Sequence, residues 1–234
     1  MKLLKLSFEM NLDSTKLYSR LANFDSEFTI KRIEIFLYRA PIETPVRTSF
    51  GVMFERPAIV VRIEDRNGAH GWGEIWCNFP ACGAEHRVRL LEEISFNLLI
   101  NKFFKHPMDL FRKMTKATHV LAIQTGEDGP VSQIIAGIDI AAWDLVARRS
   151  GSPIHRLLGH PNTELLLPVY ASGISPDCVI ETLDLCRHQG YQAFKIKIGF
   201  NDNLDLNNVN AAARSLSKYP DCISPGGDHL HNAR

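Results

Sequence analysis

Hydrophobic positions first recur in twos along this chain, then in threes and fours, and finally in alternating blocks of both. The runs IKRIEIFLYRA (30–40) and AIVVRIEDRNGAHGWGE (58–74) alternate apolar and polar residues and are rich in β-branched and aromatic types, the pattern of half-buried strands. The second run is broken by Asp65-Arg66-Asn67-Gly68, a turn signal that predicts a hairpin. Between the two runs, PIETPVRTSFGVMFERP (41–57) reads as a polar, proline-containing loop. After Glu74 the period lengthens. EHRVRLLEEISFNLLINKFF places Val88, Leu91, Ile94 and Leu98 on one helical face, and VSQIIAGIDIAAWDLVARRSG predicts a second amphipathic helix that stops at Arg148, Arg149 and Gly151. Strands followed by helices make an α+β unit.

From Leu165 the blocks alternate: LLLPVYASG as a strand, PDCVIETLDLCRHQG as a helix, AFKIKIG as a strand, and NLDLNNVNAAARSL as a helix. The two strands begin about 27 residues apart, the spacing of βα units that build a parallel sheet. DCISPGGDHLHNAR then places Pro225, Gly226 and Gly227 where a third buried strand would run, and these are poor central-strand residues. Residues 1–29 have weak periodicity and read as an N-terminal arm. The expected domains are therefore the arm at 1–29, an α+β domain at 30–160, and a βα-repeat portion at 161–234.

Composition narrows the class. The 27 basic and 26 acidic residues nearly cancel, which gives no electrostatic footprint for nucleic acid or an anionic membrane. Five cysteines without CxxC spacing point to reduced thiols, not a disulfide framework or zinc ribbon. The start MKLLKLSFEMNLDS lacks the unbroken apolar run and cleavage site of a signal peptide, and no run approaches transmembrane length on this reading. A cytoplasmic location is expected.

The candidate chemistry lies in FKIKIG. In a strand Lys195 and Lys197 share one face, and Phe194, Ile196 and Ile198 share the other. The lysine face is either bathed in water on an edge strand or turned into a barrel, towards the C-terminal mouth where barrel active sites gather. In the second case two neighbouring ammonium groups, partly removed from water, disfavour each other's charged form. A lysine so placed can serve as a base near neutral pH. Schiff-base chemistry, as in a barrel aldolase, is a different use of the same lysines. A third reading is a non-catalytic module that pairs with a full-length relative.

Several further stretches bear on the choice: KRIEIFLYRAPIETPVRTSFG, HGWGEIWCNFP, AGIDIAAWDLVARRSGSPIHRLLGH, VYASG and GYQAFKIKIG. In this order they resemble the N-terminal part of enolase-superfamily enzymes of the mandelate racemase and muconate lactonizing subgroup. The resemblance implies an α+β capping domain followed by a (β/α) TIM-type barrel, present here as its first two βα units and therefore incomplete. It implies abstraction of the proton α to a carboxylate by a Lys or His base, as in acid-sugar dehydratases, racemases and cycloisomerases, with Mg²⁺ stabilising the enediolate. Lys197 matches the family's general base, and Lys195 the neighbour that tunes it and polarises the substrate. The capping-domain loops that cover the substrate match Arg47 to Val52 and Trp76 to Cys82, with Thr48, Phe50, Trp76, Asn78 and Phe79 as candidate specificity contacts, and the end of the first barrel strand matches Tyr170 and Ser172. Asp139 and Asp144, five apart on a helix, read as structural.

The family's Mg²⁺ is held by three carboxylates on the third, fourth and fifth barrel strands. In the 35 residues after Gly199, only Asp228 stands near such a position, without the apolar run that should precede it; His229 and His231 beside it read as solvated. The chain is thus expected to be a truncated N-terminal fragment, inactive and marginally soluble by itself. For the complete enzyme, the resemblance implies a small carboxylate-bearing substrate such as an acid sugar and a homo-oligomer, with no nucleic-acid or membrane partner.

Overall fold

The computed structural model describes residues 26–48, 51–78, 82–159 and 167–219. The chain divides into two compact units, one comprising residues 1–40 and 56–163, the other residues 41–55 and 164–234.

The first unit is built on a four-stranded sheet of order β3-β2-β1-β4. The sheet's strands are β1 (Phe28–Thr48) and β2 (Gly51–Asp65), whose residues 41–48 and 51–55 fall in the second unit, β3 (His70–Ile75) and the short β4 (Phe103–Phe104). The expected arm is shorter than 29 residues, because Phe28 and Ile30 are already buried in β1, and the Phe28 ring stacks on Phe104 at 5.5 Å. The expected 41–57 loop is also corrected: β1 runs on to Thr48 and β2 starts at Gly51. Pro41, Pro45 and Pro57 carry the sequence signal for a loop. The chain is nevertheless extended over residues 41–48 and 51–57, and the Thr48 hydroxyl donates to Gly51 O (2.9 Å). The hairpin between β2 and β3 forms as the Asn67-Gly68 signal predicts. Asp65 Oδ1 accepts from the N–H groups of Asn67 (2.8 Å) and Ala69 (3.0 Å), and Gly68 takes a φ of +84° that an L side chain rarely adopts.

Three helices cover this sheet: α1 (Gly83–Leu98), α2 (Pro107–Thr125) and α3 (Asp128–Arg149), followed by the single turn α4 (Ile154–Leu157). α2 opens with Pro107, whose missing N–H is an orphan at that position anyway, and closes on Gly126 in the left-handed region. α3 is the central helix. By length and composition it could cross a membrane, which corrects the expectation that no run is long enough. Its buried Val131, Ile134, Ile138, Ala142, Leu145 and Val146 instead face the protein core. Each large aliphatic chain so buried is worth about 1.5–3 kcal/mol.

The contact of β3 with α3 explains the spelling HGWGE. Gly71 lies opposite Ile63 and Gly73 opposite Val61 in the hairpin register. A Cβ on Gly71 would fall on the Ala141 carbonyl oxygen, and one on Gly73 on the Gly137 carbonyl oxygen. On the other side, a Cβ on Gly137 would meet the Ile75 side chain. Strand and helix therefore meet backbone to backbone. Asp144 fastens the same contact: its Oδ2 accepts from the Trp72 N–H (2.8 Å) and from Arg148 Nε (2.6 Å), which bears out its structural reading. At the C-terminal end of α3, Arg149 donates to the buried Asp65 (3.2 Å) and to Glu27 O (2.8 Å).

Asp139, on α3, is a different case. Burial pushes its carboxyl up to about 6 from an ordinary 3.8, against an opposing hydrogen bond from Trp143. Its ionisation is thus penalised in the folded state. The chain loses stability as pH rises from the unfolded value near 4 to about 6, and the loss is complete above that. We expect Asp139→Asn to raise stability at pH 7 by about 1 kcal/mol, after discounting for partial solvent screening. That gain should vanish below pH ~4, measured by urea unfolding at both pH values. Equal effects at the two pH values would refute the assignment.

The second unit carries β5 (Ala171–Ile174), α5 (Val179–His188), β6 (Phe194–Ile196) and α6 (Asp202–Leu216). β5 and β6 pair in parallel, Ala171 opposite Phe194 and Ile174 opposite Ile196, with an irregularity between. Both strands are shorter than the apolar runs suggest. LLLPVYASG contributes only its end, and AFKIKIG leaves the sheet after Ile196. Ile174, Val179, Leu183 and Ala212 form a small core, with Phe194 and Ile196 packed against it. α6 begins on Asn201, whose Oδ1 accepts from the Leu204 N–H (3.0 Å), an N-cap.

Candidate functional site

The side chains of β6 divide as alternation requires: Phe194 and Ile196 pack on the small core, and Lys195 is exposed on the opposite face. Lys197 follows the last strand residue and is partly buried. The loop that carries it onward is fixed by Asp205, whose Oδ2 accepts from the N–H groups of Gly199 (2.7 Å) and Phe200 (3.2 Å).

Residues 41–55 belong to this same unit, and Arg47 makes three contacts within it. Its Nη1 donates to Asp177 Oδ1 (3.1 Å), just beyond β5, and its guanidinium lies 5.7 Å from the ring centroid of Phe200, just beyond β6. Its backbone oxygen accepts from Lys197 Nζ (3.2 Å). One residue of the hairpin tip thus touches the segments that follow both parallel strands, together with the second lysine.

The other candidates are dispersed. Thr48 is partly buried and its hydroxyl donates to Gly51 O. Tyr170 is exposed and precedes β5 instead of ending it; Ser172 is exposed within it. In the first unit Trp76 is exposed and Asn78 partly buried, on either side of Cys77, whose thiol burial pushes up. Phe50, Phe79, Asp228, His229 and His231 lie outside the described residues, as does the expected arm through residue 25. Arg47 opens the loop that the resemblance sets over substrate, but no contact of its own was expected, and Asp177 and Phe200 carry no site signal in the sequence. No periodic signal marks them, since Arg47 and Asp177 are 130 positions apart and meet only on folding.

Mg²⁺ demands several hard oxygen ligands in near-octahedral array. Among the described residues, no three His, Cys, Asp or Glu side chains come together to hold a metal ion. The described residues do not fit the ion.

Known proteins agree with this architecture. Over 163 residues the chain is 30% identical to an o-succinylbenzoate synthase of Geobacillus kaustophilus, covering 67% of this chain and 40% of that enzyme. A solved mandelate racemase/muconate lactonizing enzyme from Bordetella bronchiseptica RB50 superposes with a TM-score of 0.72 at 42% identity, covering 83% of this chain and 50% of that one. L-talarate/galactarate dehydratase from Salmonella typhimurium LT2, solved with Mg and L-lyxarohydroxamate, gives a TM-score of 0.66 at 26% identity over 82% of this chain and 49% of that one. The chain thus spans about half the length of these relatives or less. The family model described as the N-terminal domain of mandelate racemase / muconate lactonizing enzyme matches residues 32–159. The glycine-mediated β3–α3 contact and the α+β layer that it holds together are therefore those of a capping domain, and the chain belongs to the mandelate racemase/muconate lactonizing enzyme family of the enolase superfamily.

Proposed function

We propose that this chain carries the lysine-bearing side of a site that removes the proton α to a carboxylate of a small acid, of the acid-sugar type. Dehydration, racemisation or cycloisomerisation would follow. The observation that carries the reading is the position of Lys197. It is a partly buried amine at the C-terminal end of a parallel strand, beside Lys195 in sequence and under a hairpin tip from the N-terminal half of the chain. In this reading residues 30–160 act as the capping domain and residues 161–234 supply the first two βα units of a (β/α) barrel.

The roles follow from charge and reach. Lys197, unprotonated, accepts the α-proton, and its nitrogen must come within about 2.6–3.2 Å of the carbon that gives it up or act through one water. Lys195, protonated and exposed, offers positive charge to the substrate carboxylate as electron density moves onto it. Thr48, Phe50, Trp76, Asn78, Phe79, Tyr170 and Ser172 are the positions proposed to select the substrate. The chain by itself is proposed to be inactive, because the charge created on the substrate meets no converging carboxylate-held metal among the described residues.

Incubation with Mg²⁺ and a panel of acid sugars in D₂O tests both statements by ¹H NMR. We expect no loss of the α-proton signal with the 234-residue chain. Exchange should appear when residues 1–199 are joined to the remaining half of the Bordetella relative. Exchange by the chain alone would sink the division of labour, and silence of the joined protein on every acid would sink the reaction class.

A further inference from the structure

Arg47 has no part in the chemistry just proposed, yet three separate contacts converge on it within the second unit. Its guanidinium bonds Asp177 after β5 and lies over Phe200 after β6, and its backbone oxygen holds the Lys197 amine at 3.2 Å. An exposed ion pair is worth little taken singly. Here the pair and the ring contact share one planar guanidinium, which lysine could not present to both partners. Phe200 is itself held in place, since its N–H bonds Asp205. The side chain of Arg47 therefore fixes where its own carbonyl points.

We infer that Arg47 is a positioning residue. Its Asp177 and Phe200 contacts dock the hairpin tip on the ends of β5 and β6, and the docked Arg47 carbonyl is the resting partner of the Lys197 amine. The functional meaning rests on the proton-abstraction reading above. A substrate would have to take Lys197 from this carbonyl. The contact itself does not depend on that reading.

The test uses the intact chain and needs no turnover. Lysine amines are labelled competitively with a trace acylating reagent, and each lysine's rate is read by mass spectrometry in the parent chain, Asp177→Asn, Arg47→Lys and Arg47→Ala. Arg47 and Asp177 are both exposed, so these variants should keep the fold. Freeing an amine from one neutral hydrogen bond should raise its labelling rate about two- to tenfold. We expect that rise at Lys197 in Asp177→Asn and Arg47→Ala, and a smaller one in Arg47→Lys. Lys195, Lys113 and Lys218 should not change. An unchanged Lys197 overturns the proposal, and so does a parallel rise at all four lysines, which would report general loosening. Because labelling is blind to catalysis, failure of the proton-abstraction reading would show in the D₂O experiment and leave this result standing.

Discussion

Alanine in place of Gly73 is expected to destabilise the first unit by about 3 kcal/mol or more, enough to unfold a marginal domain. The added methyl group would overlap the Gly137 carbonyl oxygen and crowd the Ala141 nitrogen, both backbone atoms of α3. A side chain could swing aside, but a helix backbone can yield only by moving away from β3 as a body. That movement would open the contact around which Ile59, Val61, Ile63, Ile75, Ile134, Ile138 and Leu145 are packed. Gly68→Ala is the control. Gly68 sits at a φ of +84° with nothing within 4 Å of the new methyl group, so only backbone strain of about 1–2 kcal/mol is expected. All three tryptophans, Trp72, Trp76 and Trp143, lie in the first unit, so their fluorescence follows its unfolding in urea without interference from the second. Gly73→Ala should shift the midpoint much further than Gly68→Ala, with the slope preserved where the variant folds. If the two variants are equally stable, the backbone contact is not as described.

That contact shows what the sequence could and could not disclose. The β2–β3 hairpin was legible because Asp65, Asn67 and Gly68 act locally: a side chain bonds its own turn, and a glycine takes the positive φ. Helices α1 and α3 were legible from their apolar period. Helix α2 was not. Its buried face includes Thr118 and Ala122, while the larger Phe111, Val120 and Ile123 are exposed, so the period is blurred. The hairpin arms between residues 41 and 57 were misread because three prolines outweighed their alternation, and in a long hairpin the partner strand supplies what local preference lacks. In the site, alternation alone placed Lys195 opposite Phe194 and Ile196. The partner of Lys197 could not be foreseen, because a backbone oxygen 150 positions away leaves no trace in residue type.

The second large effect concerns that lysine. In the protein that joins residues 1–199 to the remaining half of the Bordetella relative, Lys197→Met is expected to lower the rate of α-proton exchange by about 10²–10⁴-fold, the usual share of a positioned general base. Methionine keeps the length of the side chain and its packing and removes only the amine, so the loss should fall on kcat with little change in KM. Lys195→Met should act differently. The exposed ammonium is proposed to attract the substrate carboxylate in the ground state and more strongly as negative charge builds on it in the transition state, so its removal should raise KM as well as lower kcat. The two variants thus separate by which constant moves, and not only by how far activity falls. If Lys197→Met exchanges the α-proton as fast as its parent, another group is the base, and the alternation that set Lys195 and Lys197 apart in FKIKIG has a structural origin only. If the two variants lose kcat equally with KM unchanged, both amines act in the proton transfer, and the division of roles between them must be abandoned.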